Sequence, residues 1–322
     1  FSLVFPAERK ISFFTLFPLL LWTAAFLLLI YLAVLCAEAL ADRGRHLHSF
    51  LFILASLSLI YILITLKGPP EVLRNTGLFT GYQFSLPVVI PSLGHLIVLS
   101  VLVCSLSLFF FRNIPVNVLP EGGRRITVAR FVFLLAPGAL FFAVYHYLFI
   151  KIVFDSNIVF EPYRLLEVSW YMVAGYTAIY LLAAAPVLYL VKVLREVAAV
   201  TTVTSFAISL GVSLLIILPL MVFGISPFLP ALFFSLFCIT LFAAYRKKTS
   251  GFNIAIFLSL IFSIYALYFV ISLSDEKSVA RKKVLAVTYS SEHDPEAEHL
   301  LINLWPAISA DSTLAGMVSK DL

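Results

Sequence analysis

The chain carries, at residues 86–111, the stretch LPVVIPSLGHLIVLSVLVCSLSLFFF, which contains no Asp, Glu, Lys or Arg. A helix needs about 20 apolar residues to cross roughly 30 Å of hydrocarbon, so this stretch is long enough to span a membrane. Its apolar residues are continuous, whereas the strands of a membrane barrel alternate in segments of about ten residues. The stretch therefore predicts a transmembrane helix.

The same pattern recurs along the first 274 residues. The chain is 62% hydrophobic and 12% charged, whereas soluble domains are about 45–50% apolar and about 25% charged. This composition excludes a soluble enzyme. We predict an all-α fold, a polytopic helical membrane bundle of about eight spans over residues 1–274, followed by a short helical soluble tail over residues 275–322. The predicted spans are 11–37, 49–66, 86–111, 127–150, 168–191, 197–223, 227–245 and 252–273.

The basic residues between the spans predict the orientation. Short cytoplasmic loops carry an excess of Lys and Arg, and alternate loops of this chain do so. Because the predicted number of spans is even, both ends, including the tail, are expected outside the cytoplasm. The same pattern favours anchoring at membrane lipid over binding of nucleic acid. The rich loops carry Arg43 and Arg45; Arg112, Arg124, Arg125 and Arg130; Lys192 and Arg195; and Arg246, Lys247 and Lys248, whereas the opposite loops carry Lys67, Arg74, Lys151 and Arg164.

Ionisable groups within spans are costly and indicate candidate functional positions. His95 lies in the third predicted span, and His146 lies near the outer end of the fourth, in the sequence Tyr145-His146-Tyr147. A neutral imidazole is satisfied by a backbone carbonyl or a Tyr hydroxyl, and we favour this role over ligand binding or proton relay. Arg130 is long enough to reach the cytoplasmic interface and is interpreted as an anchor.

The sequence predicts no catalytic, cofactor or metal site. A metal site formed by Glu38, Asp42, His46 and His48 is an alternative, but a solvated mixed-charge loop is favoured. The three cysteines lie in separate apolar runs without Cys-x-x-Cys spacing, so neither a disulfide framework nor a zinc ribbon is indicated.

The tail has helix signals of its own. Residues 275–289 contain few helix breakers and are expected to extend the last span. Asp294 is suited to be the N-cap of a further helix with Pro295 at its first position. Apolar residues follow at helical spacing and predict one apolar face, and Pro306 is expected to kink or end this helix. The apolar face comprises Ala297, Leu300, Leu301, Leu304 and Trp305.

Residues 284–298 (VLAVTYSSEHDPEAE), with 308–311 (ISAD) beyond them, resemble the segment that follows the multi-span region of large membrane sensor histidine kinases of the Bacteroidetes type. The resemblance implies a bacterial inner membrane protein whose tail opens an extracytoplasmic domain. It also implies that a further span, a dimerising histidine helix and an ATP-binding domain follow, with a response regulator as partner. Since the chain begins at Phe1, we expect it to be part of a longer protein. The kinase motifs themselves are absent, so the family's catalytic residues correspond to no position here.

Two other functions remain open at this point. A secondary transporter is suggested by His95, His146 and the prolines within apolar runs, since broken helices form many transporter sites. The other is the membrane anchor of a polytopic enzyme, for which the cluster at Glu38–His48 is the candidate metal site. The prolines within apolar runs are Pro18, Pro91, Pro137, Pro186 and Pro219.

Overall fold

The computed structural model describes residues 13–74, 76–86, 89–116, 124–158, 160, 169–221, 228–291 and 295–309. Within these ranges every regular element is a helix, apart from an isolated bridge between Leu86 and Ile90. The chain divides into two compact units, 1–274 and 275–322, which is also where the charge density of the sequence rises. The helices are α1 (Phe13–Ala41), α2 (His46–Lys67), α3 (Glu71–Arg74), α4 (Leu93–Asn113), α5 (Arg124–Phe154), α6 (Trp170–Val200), α7 (Val203–Met221), α8 (Phe228–Arg246), α9 (Gly251–Ser291) and α10 (Pro295–Ser309).

Seven helices among the described residues are long and apolar enough to cross a membrane: α1, α2, α4, α5, α6, α8 and α9. Their outward faces carry large exposed apolar side chains such as Leu28, Leu66 and Leu260, which suits a lipid environment and not water. The chain is thus a multi-pass helical membrane protein, as its composition predicts.

Helix α7 takes the place of the predicted span 197–223, and its bounds differ from the prediction. Helix α6 continues to Val200, and α7 begins only at Val203. The side-chain oxygen of Thr202 accepts a hydrogen bond from the Ser205 backbone at 3.4 Å, as an N-cap does. The described apolar part of α7, Val203–Leu215, is shorter than a full span. The pair of threonines at 201–202 therefore places the boundary between the two helices later than the predicted break between 191 and 197.

Helix α4 also starts later than its apolar run. Residues Leu86 and Ile90 exchange backbone hydrogen bonds of 2.8 and 3.1 Å instead of entering the helix. Pro91 disfavours helical geometry in the residue before it, and the Ser92 hydroxyl then caps α4 by accepting from the His95 backbone at 3.4 Å. Leu86 and Ile90, although within the predicted third span, consequently lie outside α4.

Helix α6 is the centre of the packing and contacts α4, α5 and α8. Its approach to α5 is close at Gly138, where an added Cβ would lie 2.7 Å from Leu190 Cδ2. Leu135 and Ala139 of α5 and Val193 of α6 are buried in the same apolar cluster. Small residues permit such approaches in membranes, where helices gain stability from packing and not from water exclusion.

The tail unit contains the end of α9 and the whole of α10. As predicted, α9 continues past the last span, to Ser291, and Pro295 is the first residue of α10; the proposed cap Asp294 lies outside the described residues. Helix α10 continues through Pro306 to Ser309, so of the two expected effects of Pro306, a kink or an end of the helix, the second is wrong. A proline at this place removes only one backbone hydrogen bond, and the helix stops three residues later. The predicted apolar face is exposed at Leu300, Leu301 and Leu304.

Because of the close approach at Gly138, we expect two helical glycines to respond differently to substitution by valine. We expect Gly138→Val to lower the free energy of unfolding by about 1–3 kcal/mol, because the new side chain overlaps Leu190 and Tyr189. Gly211→Val is the matched control, since nothing lies within 4 Å of a Cβ at that position. Thermal unfolding in detergent measures both, and equal midpoints would contradict the close contact between α5 and α6.

Candidate functional site

His146 lies on α5 and is joined to α9 by a buried hydrogen bond. Its side chain is 4% exposed, and its Nδ1 atom lies 2.7 Å from the hydroxyl oxygen of Tyr265. The edge of the imidazole also meets the ring of Phe269, with centroids 4.9 Å apart. His146 is therefore held by two residues of the helix that continues into the tail.

Tyr265 is the centre of an aromatic cluster. Its ring lies 5.7 Å from Phe142 and 5.9 Å from Phe149, both on α5, and 5.3 Å from Phe233 on α8, measured between centroids. Aromatic pairs at these separations attract each other beyond the effect of burial. Helix α9 is thus attached to α5 and α8 by large side chains instead of by close backbone contact.

Tyr145 belongs to the same cluster but differs from Tyr265 in its hydroxyl. The side chain is buried, and no residue in the described part of the chain accepts from or donates to this hydroxyl. Its ring lies 6.1 Å from that of Tyr265. A buried hydroxyl without a partner costs free energy, so the polar end of Tyr145 does not stabilise the resting bundle.

An apolar pocket adjoins this cluster, between α5, α6, α8 and α9. It is a narrow, partly open space of about 370 Å³, counting its open side, and it presents an apolar surface. It is not evident from the sequence, because its walls come from four helices. The walls include Phe142, Tyr145, Pro186, Phe233, Phe262 and Tyr265.

His95 has different surroundings, at the first turn of α4. Its Nδ1 atom lies 2.8 Å from the Ser92 hydroxyl, and its ring meets Phe79 edge-on at 5.3 Å. Its Nε2 atom is buried without a hydrogen-bond partner among the described residues. The two histidines therefore sit beside different partners, and their contacts do not form a single relay.

Lys192 is a buried cation that sequence analysis placed in a loop. Helix α6 includes it, and it is only 5% exposed. Its Nζ atom donates to the carbonyl oxygens of Phe110 and Phe111 at 2.8 and 2.7 Å, in the last turn of α4, where helical donors run out. The Phe110 carbonyl also accepts from the Ile114 backbone at 3.2 Å. The adjacent Arg195 is exposed. The available signal was the apolar sequence on both sides of Lys192, which continues the helical pattern.

The remaining candidates have simpler surroundings. Arg130 is exposed on α5. Glu38 accepts a hydrogen bond from the Asn113 side chain at 3.4 Å. In the ranges that the structure describes, no group of three or more His, Cys, Asp or Glu is arranged to hold a metal ion, so the alternative cluster Glu38, Asp42, His46 and His48 is not brought together.

No protein-family model matches the chain, no curated protein is significantly similar in sequence, and no solved structure is significantly similar in fold. Functional inference therefore rests on the residues and on their geometry.

The two buried tyrosines provide a matched pair of variants. We expect Tyr265→Phe to lower the free energy of unfolding by about 0.5–2 kcal/mol, because it leaves the His146 imidazole without its partner. Tyr145→Phe is expected to be neutral or stabilising, since its hydroxyl has no partner among the described residues. Thermal unfolding in lipid bicelles compares them, and an equal loss in both variants would mean that the His146–Tyr265 bond contributes nothing.

Proposed function

We propose that this chain is the membrane and membrane-proximal sensor portion of a two-component histidine kinase. The observation that supports this role most is helix α9, which runs unbroken from Gly251, through the last apolar span, to Ser291. The segment with the family resemblance begins within this helix and continues into α10. A continuous helix is a direct route by which a change within the bundle reaches the residues that follow it.

The proposed mechanism is mechanical. A stimulus changes the packing of α9 against α5 and α8, where Tyr265 contacts His146, Phe142 and Phe233. The new packing biases a kinase dimer between two states that already exist, because a stimulus acts only through its different interaction energy with each state. ATP supplies the phosphoryl group to the kinase core, and no residue of this chain is proposed to bind it. The expected partners are a second copy, a response regulator and membrane lipid.

We further propose that the protein lies in the bacterial inner membrane with its tail outside the cytoplasm. The basic residues of the described helix ends support this orientation. Arg43 and Arg45 separate α1 from α2, Arg112 is in the last turn of α4, and Lys247 and Lys248 follow α8. With α7 counted as a span, as the sequence predicts, these positions belong to alternate connections, as the positive-inside rule requires. The opposite connections carry fewer basic residues, Lys67, Arg74 and Lys151.

The complete gene tests the proposed function first, since a polypeptide without a histidine-kinase core would overturn it. With the full-length protein in proteoliposomes, we expect phosphate transfer from ATP to a histidine. Ala280→Pro interrupts α9 at an exposed position, and we expect it to change the autophosphorylation rate severalfold. Ala280→Ser is the control and should keep the rate of the unmodified protein; an unchanged rate in the proline variant would remove α9 from the mechanism.

Cysteine accessibility tests the orientation. In a background in which Cys36, Cys104 and Cys238 are replaced, Ser291→Cys and Lys247→Cys place single thiols on the two sides of the last span. A membrane-impermeant maleimide added to intact cells is expected to label position 291 and not position 247. Labelling of position 247 alone would place the tail in the cytoplasm, and labelling of both would mean that α9 does not cross the membrane.

A further inference from the structure

We propose that the apolar pocket between α5, α6, α8 and α9 binds one hydrocarbon chain of a membrane lipid. The pocket is formed by residues of the membrane unit alone, including Ala183 and Pro186 of α6, Phe237 of α8 and Ile261 of α9. This inference stands apart from the proposed kinase role, because it concerns only what fills the pocket.

The chemistry of the walls selects an apolar occupant. The pocket surface is apolar, formed by aliphatic side chains and aromatic rings. A polar ligand would lose its hydrogen bonds to water and regain none here. Water is excluded for the same reason, because a buried water needs two to four polar partners and apolar cavities stay dry.

The size and position of the pocket favour a slender chain. The space between the side chains is narrow, and the figure of about 370 Å³ includes the part that is open to the surroundings. An empty gap beside well-packed side chains costs free energy, and lipid chains are the apolar molecules present at high concentration around these helices. Because the pocket is partly open, a chain can enter from the side of the bundle.

Aromatic rings fix the shape of the walls. The Tyr265 ring lies 5.7 Å from Phe142 and 5.3 Å from Phe233, and Phe262 lies 6.3 Å from Tyr145. Each ring is held by another ring of the cluster, so the pocket is largely preformed and the occupant need not order it. A bound chain would touch α9 directly at Ile261, Phe262 and Tyr265.

The experiment uses the protein reconstituted in phosphatidylcholine vesicles that contain a trace of lipid with a diazirine in the middle of one acyl chain. After illumination, mass spectrometry locates the labelled residues. We expect labelling of Phe262 and Tyr265 in the pocket beyond that of Leu260 and Ile264, which lie on exposed parts of the same helix. Labelling of the exposed positions alone would overturn the proposal. Equal pocket labelling by a lipid with its diazirine in the head group would also overturn it.

Two variants change the pocket in opposite directions. Ala183→Leu fills it and should reduce pocket labelling about tenfold, whereas Val187→Ala enlarges it and should retain or increase the labelling. Ala184→Leu adds the same side chain to α6 at a position outside the pocket walls and should leave labelling unchanged. Thermal unfolding verifies that each variant is folded. If Ala183→Leu folds and is labelled as the unmodified protein is, no chain occupies the pocket. If Ala183→Leu does not fold, Val187→Ala decides: loss of labelling in the folded variant would overturn the proposal, and retained labelling would support it.

Discussion

In hydrocarbon every backbone polar group must find a partner within the protein, and this constraint is most severe at helix ends. Two cations in the bundle provide such partners for helix ends. Lys192 donates to the last carbonyls of α4, and Arg246 donates to the carbonyl of Thr201, where α6 ends, at 3.0 Å. Lys192 belongs to α6 and Arg246 belongs to α8. Each cation therefore satisfies the end of a helix other than its own. The charges that mark the orientation thus also fix which helices are neighbours.

The same constraint explains the polar side chains between α5 and α7. Ser209 and Ser213 are buried and donate to carbonyl oxygens of their own helix, at 2.9 and 2.8 Å. The Ser209 hydroxyl also lies 3.4 Å from the Val128 carbonyl oxygen of α5, so this small residue is at the close contact between α7 and α5. Gly138 has the corresponding role between α5 and α6. These interfaces are tight because small residues bring the backbones together.

The sequence predicts the class of fold because span length is set by the thickness of the bilayer and not by tertiary context. It does not predict partners that lie far apart along the chain. His146 and Tyr265 are separated by 119 positions. A Tyr hydroxyl was one of the two expected partners of His146, but sequence adjacency does not identify it: Tyr147 is 45% exposed, since consecutive helical residues point in different directions. Similarly, the role of Lys192 depends on which helix ends beside it. The starts of α4 and α7 depend on single capping hydroxyls within long apolar runs.

Helix α9 differs from the other interfaces in a way that bears on movement. Where small residues bring α6 and α7 close to α5, sliding of one helix along another would make their atoms overlap. Helix α9 is held at a distance by rings, which can exchange one set of contacts for another while staying packed. The His146–Tyr265 hydrogen bond then sets its register, because breaking it leaves a buried polar group unpaired. Packed interfaces tend to have discrete alternative arrangements and not a continuum. Under the proposed mechanism, the contact between α5 and α9 is therefore the interface best suited to alternate between two packing arrangements.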